Sequence, residues 1–125
     1  MNIPDDMIKT LADIGFMASS SGHSKHAFAI FSGIETAKPD SILPDIGYAM
    51  EFMNKKKYQE AIALLKRQGL KKDPENTAVQ AFIGLALMLN GHNKDAEKCL
   101  NELTDTNDST VATMANELLE NIHTS

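Results

Sequence analysis

Ala27, Ala61 and Ala96 stand 34 and 35 residues apart, and each is followed four positions later by a large apolar residue, Phe31, Leu65 or Leu100. A small side chain one helical turn before a large one lets two helices cross closely. A recurrence of this length describes stacked supersecondary units, each too thin to bury its own apolar face. The chain is therefore expected to be a stack of helix pairs whose useful property is its surface.

Turn signals divide the 125 residues into helix-period segments. Ile8, Leu11, Ala12, Ile14 and Gly15 recur at helical spacing within about Asp5 to Ser20, and Ser21-Gly22 ends that segment. A second helix is expected from about Ser24 to Ala37, stopping before Pro39. A second pair spans about Ser41 to Asn54 and Tyr58 to Gly69, joined by Lys55-Lys56-Lys57. The third covers about Asn76 to Asn90 and Asn93 to Thr104, with Gly91 at its turn. Asn107-Asp108-Ser109 caps a last helix reaching about Ile122. That helix carries an apolar stripe of Val111, Met114, Ala115, Leu118, Leu119 and Ile122 opposite Thr113, Glu117, Glu120 and Asn121, as a cap on the open end of a stack should.

Composition narrows the function. A formal net charge of −5 disfavours nucleic acid and anionic membranes as partners. Cys99, the single cysteine, has no partner for an internal disulfide. Met1 to Asp6 lacks the basic start of a signal peptide, and the apolar run from Ala81 to Leu89 is too short to span a bilayer. A cytoplasmic protein without a membrane span is expected. His23 and His26 lack a third ligand nearby, Cys99 reads as a packing residue, and no phosphate loop or hydrolase elbow is present, so no catalytic residue, metal site or cofactor is assigned. Asn107-Asp108-Ser109 also fits a glycosylation sequon, but a helix cap explains it. Seven of the twelve basic residues lie between Lys55 and Lys72, a solvated outer face that could also dock an acidic component.

The three segments resemble tetratricopeptide repeats. The first carries Leu11, Ile14-Gly15, Ala27, Phe31 and Pro39 in register; the second carries Tyr48-Ala49, Phe52, Tyr58, Ala61 and Leu65; the third carries Ile83-Gly84, Leu87, Gly91, Ala96, Leu100 and Leu103. Pro74 is displaced by one residue, which reads as an insertion near Gly69. Departures are the lack of Trp, Ile34 and Gln68 where a small residue is usual, and Asp108 in place of the last Pro. The resemblance implies an all-α fold of three helix hairpins, residues 5–39, 42–75 and 76–108, stacked as a short right-handed superhelix and closed by a capping helix at 109–122, all in one domain.

In that family the first helix of each pair lines a concave groove. The implied groove residues here are Phe16 on the first, Leu43, Ile46, Met50 and Met53 on the second, and Ala81, Leu85, Met88 and Leu89 on the third. This wall is oily, with Lys9 the one cation among the first helix's groove positions, so a clamp for an acidic tail is disfavoured. An apolar concavity suits an amphipathic helix, and methionines adapt to irregular partners.

A short, acidic stack with an apolar groove is similar to the small chaperones of bacterial type III secretion. The stretch Leu11-Ala12-Asp13-Ile14 through Gly22-His23 to His26-Ala27 most resembles the needle-subunit chaperones. That resemblance implies a role in protein transport and virulence: binding the helix of an export substrate before it polymerises, with a second small co-chaperone, and self-association when the client is missing. The alternatives are a chaperone of a hydrophobic translocator and a general interaction adaptor.

Overall fold

The computed structural model describes residues 3–124, and these form seven helices. They are α1 (Asp5–Ser20), α2 (Ser24–Ala37), α3 (Leu43–Asn54), α4 (58–72), α5 (Thr77–Leu89), α6 (Asn93–Asn101) and α7 (Ser109–Thr124). No strand occurs among the described residues. Helices α1 and α2, α3 and α4, and α5 and α6 pack as antiparallel neighbours, and α7 lies against both α5 and α6.

Each hairpin turns on the same device. Gly22 and Gly91 adopt the left-handed backbone, with φ of 80° and 82°, and Lys56 occupies the equivalent place in the middle hairpin at φ 61°. A lysine there retains the Cβ clash that the two glycines avoid. In each turn the residue after this one donates its backbone N–H five positions back: His23 to Ala18, Lys57 to Phe52 and His92 to Leu87, at 2.8, 2.8 and 2.9 Å.

Helix α4 departs from a plain helix. It runs as α-helix over Tyr58–Leu64, opens into a π turn over Leu65–Gly69 and closes as α-helix over Leu70–Lys72. A π turn is one extra residue accommodated inside an α-helix, so it supplies the physical form of the insertion expected near Gly69. The turn lies where Gly69 meets the next hairpin: a Cβ there would stand 3.0 Å from Val79 Cγ1. The helix consequently continues to Lys72, three residues beyond the Gly69 end expected from the sequence. Lys72 Nζ pairs with Asp45 Oδ2 at 2.8 Å and donates to the Ser41 carbonyl at 3.2 Å, tying the end of this hairpin to its start.

Two other boundaries are set by side chains. Asn76 Oδ1 accepts from Val79 N at 2.9 Å, capping α5. Asp108 Oδ1 accepts from Thr110 N and Val111 N, so Asp108 is the capping member of Asn107-Asp108-Ser109.

Three clusters of buried side chains run along the stack. The first gathers Ile8, Ala12, Ala27, Phe31 and Ile34; the second centres on Ile46, Ala61, Leu65, Val79 and Ile83; the third joins Ala81, Ala96 and Leu100 to Val111, Ala115 and Leu119 of α7. Ala27, Ala61 and Ala96 are each fully buried, as are the large residues four positions on. Phe31 also explains a glycine with no place in the repeat pattern. A Cβ on Gly47 would fall 2.3 Å from Phe31 Cε2, so α3 reaches its position only because residue 47 has no side chain.

Candidate protein-binding groove

The structure divides the nine groove residues implied by the sequence. Ile46 and Ala81 belong to the core, and Met53 is 8% exposed. Ala12, Ile46 and Ala81 are equivalent positions of successive repeats, and the cause of their burial is shared. Their side of the first helix receives the next element of the stack. Ile46 packs in one cluster with Val79 and Ile83 of α5, and Ala81 packs with Val111 and Ala115 of α7. This corrects the expectation for Ile46, Met53 and Ala81: their apolar character serves contact between repeats, leaving little of them for a partner.

The others remain reachable. Phe16, Leu43, Met50, Leu85 and Met88 are half-buried, and Leu89 is 46% exposed. Met50, Leu85 and Leu89 converge with the edge of Met53, Asn54 and Phe82 on a concavity of about 170 Å³ between α3 and α5. Leu43 leans on the first cluster and Met88 on the third, at the margins of this centre. Phe16 lies outside this lining and packs from α1 against the first and second clusters, its ring 5.1 Å from that of Phe31. Phe82 was missed from sequence, although it stands three residues before Leu85 and seven before Leu89, on the same helical stripe.

Side-chain size opens the cleft in one place and closes it in another. Helix α1 lies close along α3, where Ser19 is small, whereas α3 and α5 touch sparsely and bulky Ile46, Met53 and Phe82 stand between them. The α1–α3 contact is also pinned: Asn54 Nδ2 donates to the Ser19 carbonyl at 2.9 Å, and Ser19 Oγ donates to Glu51 Oε2. No charged residue lines the α3–α5 concavity. What the surface can do is bury apolar area, at about 25 cal/mol per Å² removed from water.

Other chemistry is sparse. Burial pushes the Cys99 thiol up from its ordinary range, with the neighbouring Glu102 charge acting the same way, and its Sγ lies 3.3 Å from the Gln80 carbonyl. A thiol held protonated is a poor nucleophile. The rings of His23 and His26 are 6.0 Å apart, and among the described residues no three His, Cys, Asp or Glu side chains come together to hold a metal. No helix among the described residues is long and apolar enough to cross a membrane.

Comparison with known proteins agrees with the fold. A family model described as Tetratricopeptide repeat matches residues 52–120. A chain in a solved structure, "Structure of the heterotrimeric complex which regulates type III secretion needle formation", superposes with a TM-score of 0.70 over 92% of this chain and 96% of that one, at 18% sequence identity. No curated protein matches the chain.

Proposed function

The chain belongs to the tetratricopeptide-repeat family, and on that premise we propose that it is a cytoplasmic, non-enzymatic chaperone of type III secretion that holds the amphipathic helix of an export substrate in its groove. The observation that carries this reading is the uncharged α3–α5 concavity formed by Met50, Phe82, Leu85 and Leu89. A helix presenting apolar residues at i, i+3, i+4 and i+7 matches such a wall. The structural neighbour comes from a complex that regulates needle formation, which makes a needle subunit the favoured client and a heteromeric assembly the favoured setting.

The mechanism is competition for one apolar face. A needle-type subunit polymerises through a helix, and covering that helix removes the surface on which a nucleus forms. Affinity must stay moderate, because ordering costs offset much of the burial and the client has to leave for export.

Co-expression with a type III needle subunit tests this reading. The expected outcome is a soluble complex of fixed stoichiometry in which the subunit does not polymerise. With Met50→Asp and Leu85→Glu combined, the complex is lost while far-UV circular dichroism keeps its helical signal. A folded double variant that still suppresses polymerisation would overturn the groove assignment, and a chain that ignores the subunit but binds other helical peptides would mark a general adaptor.

A further inference from the structure

A larger cleft, about 640 Å³, lies on the other side of α3, between α2 and α4. Residues on a helix advance by about 100° each, so Phe52 and Lys55 face nearly opposite to Met50 and Met53. The cleft is therefore separate from the groove. Its walls are aromatic: Phe28, 43% exposed, stacks on Tyr48 with centroids 5.5 Å apart, and Phe52 lines the same space. Its floor includes Glu51, which is 2% exposed. One carboxyl oxygen of Glu51 accepts from Ser19 Oγ, but Oε1 has no hydrogen-bond partner among the described residues.

That orphan oxygen needs explaining. A buried acceptor left unmade is costly, and nearly all such atoms in folded proteins are paired. Accepting from Ser19 alone would need one oxygen. The second is buried, on a residue that lines the aromatic cleft, so a donor that reaches it has to enter through that cleft. Charge defines the donor: Glu35, Glu51 and Lys55 are the charged residues lining the cleft, leaving one negative charge to neutralise. The Phe28 ring already faces a cation, with Lys55 Nζ 5.9 Å from its centroid.

We propose that this cleft is a second binding site that takes an arginine side chain from a partner protein, the guanidinium lying against the Phe28, Tyr48 and Phe52 rings and donating to Glu51 Oε1. Arginine fits better than lysine because its planar head can stack on a ring while its fork donates to a carboxylate. The volume exceeds one side chain, so the partner's neighbouring apolar residues occupy the remainder.

The test uses the full chain and acetyl-arginine amide, with acetyl-citrulline amide as the uncharged isostere and spermidine as a free cation, read by NMR shifts. The expected result is a saturable response at Phe28, Tyr48 and Phe52 that is at least tenfold weaker with citrulline and weaker with spermidine. Glu51→Gln should remove the preference for arginine over citrulline. Phe28→Ala, at an exposed position where the fold is not at stake, should weaken arginine binding at least threefold. Equal binding of arginine and citrulline, spermidine binding as strong as arginine, a response elsewhere on the chain, no response, or variants that behave as wild type would each overturn the proposal.

Discussion

The same substitution at two helical glycines should move stability in opposite directions. Gly33 lies inside α2 with nothing within 4 Å of a built Cβ. Gly33→Ala there gains helix propensity alone, about 1 kcal/mol. Gly47 lies inside α3, where the Cβ would meet Phe31 Cε2, Cδ2 and Cζ at 2.3, 2.4 and 2.4 Å. Ordinary contact begins about 1 Å farther out, and the ring has no free direction to retreat. Phe31 is fully buried, with Phe16 5.1 Å and Tyr48 6.2 Å from it. Overpacking of this kind costs about 1–3 kcal/mol, and a contact this short belongs at the upper end. Set against the same propensity gain of about 1 kcal/mol, Gly47→Ala should lose about 2 kcal/mol net. Urea unfolding followed by circular dichroism should place the two variants about 3 kcal/mol apart, with midpoints shifted and slopes unchanged. Phe31→Leu introduced beside Gly47→Ala should recover part of the loss, because the clash is with the ring itself. Two variants that shift together, or a Gly47→Ala protein as stable as wild type, would show that α3 is not held where Phe31 requires it.

Lys56→Gly should stabilise the protein by about 0.5–1 kcal/mol, the relief of a left-handed lysine less the added freedom of a glycine in the unfolded chain, seen as a rise of about 2–5 °C in Tm; no rise would show that the turn carries no strain. Lys72→Met leaves the 3%-exposed Asp45 side chain without its cation and should cost about 2 kcal/mol in urea unfolding, whereas Lys38→Met, whose partner Asp5 is nearly fully exposed, should change little. Cys99 should react with iodoacetamide several-fold more slowly than free cysteine at pH 8, because burial holds the thiol protonated. Burial together with the Glu35 and Asp45 charges raises the Tyr48 phenol. Its folded-state value thus exceeds its unfolded one, so this group favours the folded state below pH 10 and that contribution is lost as pH rises from 10 through the raised value. An absorbance titration showing Tyr48 ionising at or below pH 10 would contradict this.

Much of the architecture was legible because it rests on local grammar. The alanine and large-residue pairs, the turn glycines and the cap at Asn107-Asp108-Ser109 each fix one joint, and the displaced Pro74 located the extra residue that the structure resolves as a π turn after Leu64. The groove was less legible for a geometric reason. Apolar residues on the first helix of a pair look alike in sequence whether they meet the next repeat or open space. Helical phase barely separates them: Ile46 and Met50, like Ala81 and Leu85, stand four residues apart and within about 40° on one face, so burial of the first and exposure of the second depend on where along the helix the next element packs. Phe82 lines the same concavity, and nothing in its apolar character distinguishes it in sequence from its buried neighbours Ala81 and Ile83. Gly47 and the Glu51 cleft had no sequence signal, since both depend on where the distant Phe31 and Phe28 come to lie.

The central claim is that a partner's helix lies on the wall between α3 and α5. Titration of the isotopically labelled chain with a peptide spanning the polymerising helix of a needle subunit, mapped by NMR, tests it most directly. The account predicts saturable shifts at Met50, Phe82, Leu85 and Leu89, with the buried Val111, Ala115 and Leu119 of α7 unmoved. A footprint centred on α7 or on the basic stretch from Lys55 to Lys72, with the α3–α5 wall silent, would contradict it.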